Sequence, residues 1–201
     1  ATATDGAALV EDFFTEEYAL NHLIHTYPKP YIALMDGVVM GGGMGIAQAG
    51  PQARLRIVTE RTKMAMPETG IGLFPDVGGG WFLSRTPGQL GAYLGVTGEV
   101  IGAADALHAG LADVFVPGAE LAPLAQAILD GADAVESVRA CADRHASTTD
   151  PAQSRLAGQR ALAEMGGSRL WLAGGLVHLG QPQVGFLQRR AVGGAKHGLL
   201  E

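Results

Sequence analysis

Two carboxylates follow prolines in an otherwise apolar stretch: Glu68 in Met66-Pro67-Glu68-Thr69 and Asp76 in Phe74-Pro75-Asp76-Val77-Gly78-Gly79. Carboxylates set among apolar residues hold their protons to higher pH than solvated ones, which suits acid/base work. Solvated loop or helix-capping carboxylates would have the same local sequence. Upstream, Gly41-Gly42-Gly43 follows a short apolar run and stands where a helix begins. Glycines let a ligand approach the backbone, and the free N–H groups of a first helical turn favour developing negative charge. That is what an oxyanion hole for a carbonyl, a thioester's among them, requires. A tight strand-to-helix turn requires the same glycines.

The elements that position these residues can be read from periodicity. Residues 8–27 form an amphipathic pattern in which Leu9, Phe13, Leu20, Leu23 and Ile24 share a face, ended by Pro28 and Pro30. Residues 31–36 (YIALMD) read as a buried strand leading into the glycines, with a helix over 44–49. Residues 54–59 (RLRIVT) and 63–66 read as strands, and 73–80 (LFPDVGGG) carries too much Pro and Gly for regular structure. Helical patterns follow over 81–85, 87–96, 103–109 and 121–130, with a small strand over 113–116. Beyond about Val138 the pattern weakens; 153–165 suits a helix, and 171–201 is unassigned. Short strands alternating with helices imply an α/β arrangement.

Composition narrows the function classes. Of 201 residues, 47% are hydrophobic and 17% charged, which excludes a disordered chain. The net charge of -6 argues against nucleic acid as the main partner. No apolar run has the roughly 18 residues a membrane span needs, and residues 1–10 do not resemble a secretory signal. The missing initiating Met implies sequence upstream. The single cysteine, Cys141, cannot form an internal disulfide, so a reducing compartment is expected: cytoplasm, or the mitochondrial matrix for a eukaryotic parent with a transit peptide. The six histidines show no ligand spacing such as H-E-x-x-H, so no metal is expected. His22, His25 and His108 fall on helix faces, where surface or structural roles suffice. Trp81 and Phe82 are expected in the core, and Lys29 and Lys63 on the solvated surface.

Taken together, KPYIALMDGVVMGGGMGI, MAMPETGIGLFPDVGGGWFLSR and VTGEVIGAADALHAGLADVFV resemble the crotonase (enoyl-CoA hydratase/isomerase) superfamily over roughly residues 13–117. The resemblance implies a spiral of ββα turns, partial here, over residues 1–120. It also implies a C-terminal region, 121–201, partly helical and of a kind often used in homo-oligomers. It implies an acyl-CoA partner, with coenzyme A entering as part of the substrate and no separate cofactor.

Two positions refine it. Hydratases of the superfamily carry a glutamate one residue beyond the glycine triplet, paired with that of the Pro-Glu motif. Here that position is Gly45, and an acid stands at Asp76, where hydratases commonly have glycine. Glu68 and Asp76 with glycine at 45 resemble the superfamily's 3-hydroxyisobutyryl-CoA hydrolases, thioesterases of valine breakdown. By that resemblance Gly42, within Gly41-Gly42-Gly43, donates an oxyanion N–H. Glu68 acts as general base or as nucleophile, and Asp76 orients the substrate hydroxyl or water or assists the leaving thiolate. Another crotonase reaction (isomerisation, hydration or dehalogenation) and an inactive acyl-CoA-binding or partner-binding scaffold are the alternatives. Family members also carry an earlier Gly-rich loop for the second oxyanion donor, expected before Ala1. The stretch 47–56 is a few residues longer than usual, and 166–201 does not resemble the family's tail.

Overall fold

The computed structural model describes residues 3–50, 54–146 and 153–158. After a leading helix, α1 (Ala3–His25), a strand-turn-strand unit organises the chain. In its first copy β1 (Ile32–Met35) turns through Asp36 and Gly37 into β2 (Val38–Met40), followed by α2 (Gly42–Gln48). In its second, β3 (Leu55–Val58) turns into β4 (Lys63–Ala65) and a 3-10 turn, Glu68–Ile71. Then come α3 (Gly79–Leu83), α4 (Leu90–Thr97), α5 (Ala103–His108), β5 (Val114–Phe115), a second 3-10 turn (Gly118–Glu120), α6 (Leu121–Leu129) and α7 (Ala134–Arg144).

Among the described residues the strands pair in parallel, and an isolated antiparallel bridge joins Met64 to Ile101. β1-β3-β5 form one sheet, with Ile32 opposite Leu55 and Met35 opposite Val58; β2 and β4 form another, with Val38 opposite Lys63. Parallel neighbours need a crossover between them, and here β2 and α2 supply it between β1 and β3. This is the expected α/β spiral of ββα turns.

β3, central in its sheet, is buried along its whole length and sorts its side chains by alternation. Leu55 and Ile57 join Val116, Leu121, Leu124, Val138 and Cys141 under α6 and α7. Val58 faces the larger core with Met35, Met44, Met64, Leu90, Leu94 and Ile101. Arg56, also buried, is satisfied rather than solvated. It donates to Gln48 Oε1 (2.6 Å) and, through Nε and Nη2, to Asp113 (3.0 and 2.7 Å), while Gln48 donates to the Leu111 carbonyl (2.7 Å).

Several expectations need correction. α1 begins at Ala3 and turns Phe14, Glu17, Asn21 and Ile24 toward the body, leaving Phe13, Leu20 and Leu23 exposed. Of the expected apolar face Ile24 is buried, while the strip turned to the body also carries Phe14 and the polar Glu17 and Asn21. β2 was not expected; three residues are too few to show a period. α3 starts inside the stretch expected to be irregular, since Gly78, in the left-handed region (φ 87), caps it. α7 is also additional, although Asp133 accepts from the Glu136 N–H at its start, a capping pattern written in the sequence. Of the helix expected over 153–165, residues 155–158 are helical and 159–165 lie outside the described residues, as does 171–201. Among the described residues, no helix is long and apolar enough to cross a membrane.

Candidate functional site

Glu68 sits just beyond β4, where Pro67 ends the ladder and the 3-10 turn begins. The turn is pinned from α4: Thr69 donates to the Val96 carbonyl (3.2 Å), and Gly98, left-handed at φ 64, lets the end of α4 close on Pro67. The Glu68 residue is 7% exposed, and its Oε2 is buried with no hydrogen-bond partner. Burial pushes its carboxyl above the ordinary glutamate range, against a hydrogen bond from its own backbone, and the negative charge of Asp76 adds to the rise.

The glycine turn lies against this carboxylate. Oε1 of Glu68 is 3.0 Å from where a Cβ on Gly41 would stand. The Gly41 N–H is taken by the Ala65 carbonyl (3.2 Å), which ties the turn to β4. Gly42 and Gly43 open α2, so their N–H groups belong to a first turn that has no intrahelical acceptor.

Asp76 is half-buried and accepts a hydrogen bond from Tyr18 Oη at 2.7 Å. Burial, and next the bond to Asp76, push the Tyr18 phenol well above its usual range. Glu17, one residue away on α1, lies over Gly42, where a Cβ would strike its carboxylate. Burial first, then the charge of Asp76, raises the Glu17 carboxyl. Asp76 is presented by an unusual turn. Val77 adopts φ 42, which for a β-branched residue costs about 1–3 kcal/mol, and Gly78 follows in the left-handed region.

Polar donors, a dry carboxylate and a second carboxylate thus converge at the mouth of β4. The sequence profile of the enoyl-CoA hydratase/isomerase family matches residues 1–167. The chain belongs to this family.

Among relatives, the mitochondrial 3-hydroxyisobutyryl-CoA hydrolase of Xenopus tropicalis is 52% identical over 121 residues, 60% of this chain and 31% of that protein. The small ribosomal subunit protein mS47 of Neurospora crassa is 47% identical over 124 residues, 62% of this chain and 24% of that one. Among solved structures, a carnitinyl-CoA dehydratase from Mycobacterium thermoresistibile aligns with a TM-score of 0.70 at 42% identity, covering 79% of this chain and 44% of that chain. The chain therefore spans about a third of the length of the curated hydrolase it matches.

In this enoyl-CoA hydratase/isomerase chain, Gly41, Gly42, Glu68 and Asp76 come to one place, as their motifs imply. Gly43 sits one step along α2, beside Val39. Glu17 and Tyr18 are additions that the sequence reading missed. Elsewhere, Trp81 packs at the edge of the core with the Arg85 guanidinium 4.0 Å from its ring centroid, and Phe82 is buried. Lys29 and Lys63 are exposed. Glu120, Cys141 and His145 meet where the second 3-10 turn packs against the end of α7, a grouping of possible metal ligands that spacing does not reveal. Arg144 already pairs with that Glu120 at 3.7 Å, and burial pushes the Cys141 thiol up, toward its protonated form.

Proposed function

We propose that the protein hydrolyses a short, branched β-hydroxyacyl-CoA thioester of the 3-hydroxyisobutyryl-CoA type, releasing the free acid and coenzyme A. The observation that carries this reading is the buried Glu68 carboxylate, with Oε2 unpartnered, set against a glycine turn that offers first-turn N–H groups. Its raised affinity for a proton suits a group that takes one from water near neutral pH. Gly42 N–H donates to the thioester oxygen as charge develops there. Water, deprotonated by Glu68, adds to the acyl carbon; the C–S bond then breaks and the thiolate leaves with the proton that Glu68 had taken, which restores the carboxylate. In the variant route Glu68 itself attacks the acyl carbon, and the C–S bond breaks as coenzyme A leaves as a thiolate that takes a proton from solvent. Water then opens the resulting anhydride to give the free acid and restore Glu68. Asp76, held by Tyr18, orients the substrate hydroxyl or the water. Neither route needs a metal or redox cofactor. Similarity to hydrolases named as mitochondrial supports the mitochondrial matrix as the compartment.

A second reading has its own support: the likeness to a carnitinyl-CoA dehydratase favours elimination or addition of water at an acyl-CoA double bond. Gly45 opposes it, because it provides no second acid one residue beyond the triplet.

The deciding experiment measures coenzyme A release from 3-hydroxyisobutyryl-CoA by the protein and by Glu68→Ala and Asp76→Ala. Release that collapses in both variants supports the hydrolase. A folded protein that releases none, or release indifferent to both changes, overturns it, and turnover of an enoyl-CoA would then favour the second reading.

A further inference from the structure

A Cβ built on Gly45 would stand 2.5 Å from Val77 Cβ, 2.8 Å from its Cγ2 and 3.1 Å from its carbonyl oxygen. Real side chains do not pack so closely, so Val77 occupies the volume that any residue at 45 would need. On its other side Val77, 5% exposed, is part of the core with Met44, Met66 and Phe82. It is also the non-glycine residue with positive φ among those described, at 42°. A branched side chain does not choose that conformation and is kept in it by what surrounds it. The turn it heads closes through the Gly79 N–H to the Asp76 carbonyl at 2.5 Å, and Asp76 immediately precedes it.

We propose that Val77 is a positioning residue and that Gly45 and Val77 act as one unit. Seated against the bare face of Gly45, Val77 locks the left-handed turn that presents Asp76 beside Glu68. The second carboxylate of the site therefore comes from position 76, and none can be added at 45 without unseating 77. The part concerning turnover rests on the thioesterase reading; the steric and positional part does not.

The test compares the wild-type protein with Gly45→Ala, Val77→Gly and the double variant. With 3-hydroxyisobutyryl-CoA, Gly45→Ala lowers kcat about 100-fold with little change in KM, because Asp76 is displaced rather than removed. Val77→Gly, which can adopt the turn but not enforce it, lowers kcat about 10-fold. In the Val77→Gly background the volume is empty, so adding Gly45→Ala costs no more than roughly threefold further. Penalties that simply multiply, or that fall on KM, overturn the proposal.

A readout free of catalysis follows the Tyr18 phenol, taken as the tyrosinate absorbance that Tyr18→Phe removes. Tyr18 stays protonated in the wild type near pH 10, where an ordinary tyrosine ionises. In Gly45→Ala, as Asp76 withdraws, it ionises at a lower pH than in the wild type, although burial still holds it above an ordinary tyrosine. Identical titration in the two proteins means that Asp76 has not moved, and the proposal fails. If the wild type releases no coenzyme A yet Tyr18 responds as described, the thioesterase reading falls and the positioning role stands. Should Gly45→Ala fail to fold, rescue by Val77→Gly supports the unit and failure of rescue overturns it.

Discussion

Oε1 of Glu68 lies 3.0 Å from the point a Cβ on Gly41 would occupy, so the carboxylate and the glycine turn are fitted with no methyl's width to spare. Gly41 also holds φ 53 and ψ -119, a backbone region that side chains avoid. Gly41→Ala therefore meets two penalties at once. Turnover is expected to fall about 100-fold and the fold to lose about 1–3 kcal/mol, read by steady-state kinetics and urea denaturation. Unchanged turnover would mean that Glu68 swings aside freely and that the turn does not hold it.

The raised proton affinity of Glu68 fixes the sign of two pH effects. As base or nucleophile Glu68 must be ionised, so kcat/KM rises with pH through an inflection above the ordinary glutamate value of 4.5. For stability, a raised folded-state pKa favours the fold while Glu68 is protonated. That contribution is complete below the unfolded value and is lost as pH rises through the folded one. Glu68→Gln, which cannot ionise, is accordingly more stable than the wild type at neutral pH. The difference shrinks toward zero in acid, and thermal melts across the pH range would show it.

Tyr18→Phe removes the 2.7 Å bond to Asp76 while keeping a ring to pack beside Phe14, 5.8 Å away. A net hydrogen bond of this kind is worth about 1 kcal/mol, so kcat should fall about 5- to 10-fold. Phe14→Leu, which leaves that bond alone, serves as the control. Equal losses from the two variants would assign Tyr18 a packing role only.

Asp113→Ala leaves the buried Arg56 guanidinium without its carboxylate, and a loss of about 3 kcal/mol is expected by urea denaturation. Burial pushes the Asp113 carboxyl up, but the hydrogen bonds and charge of Arg56 outweigh it and hold it below the ordinary aspartate range. The pair's stabilisation is thus present above the unfolded value and fades as pH falls through the folded one. A wild type and variant that diverge only in acid would contradict this.

What could be read from the sequence was what lies close along the chain. Gly41, Gly42, Glu68 and Asp76 occupy two short segments, each with its own punctuation of Pro and Gly, and both segments reach the site. Glu17 and Tyr18 stayed hidden because they meet Gly42 and Asp76 across a fold rather than along an element, and their helix reads as an ordinary amphipathic one. Val77 gave no warning either: valine is a strand former, and its positive φ is kept by the core packed around it, in the space that Gly45 leaves open. β2 was missed for brevity, while α7 had a legible cap at Asp133 and Glu136 that the fading apolar pattern obscured.

Tyr18 and Asp76 are 58 positions apart, whereas Glu68 and Asp76 belong to one continuous excursion after β4. Closing the longer loop costs more chain entropy, and distant contacts tend to form late. α1, with Phe13, Leu20 and Leu23 turned to solvent, docks through a narrow strip. Competence is therefore the last property gained on refolding and the first surrendered in denaturant. Activity should decline at a lower urea concentration than the ladders' circular dichroism, in a sub-global opening that releases α1 while the parallel sheets persist.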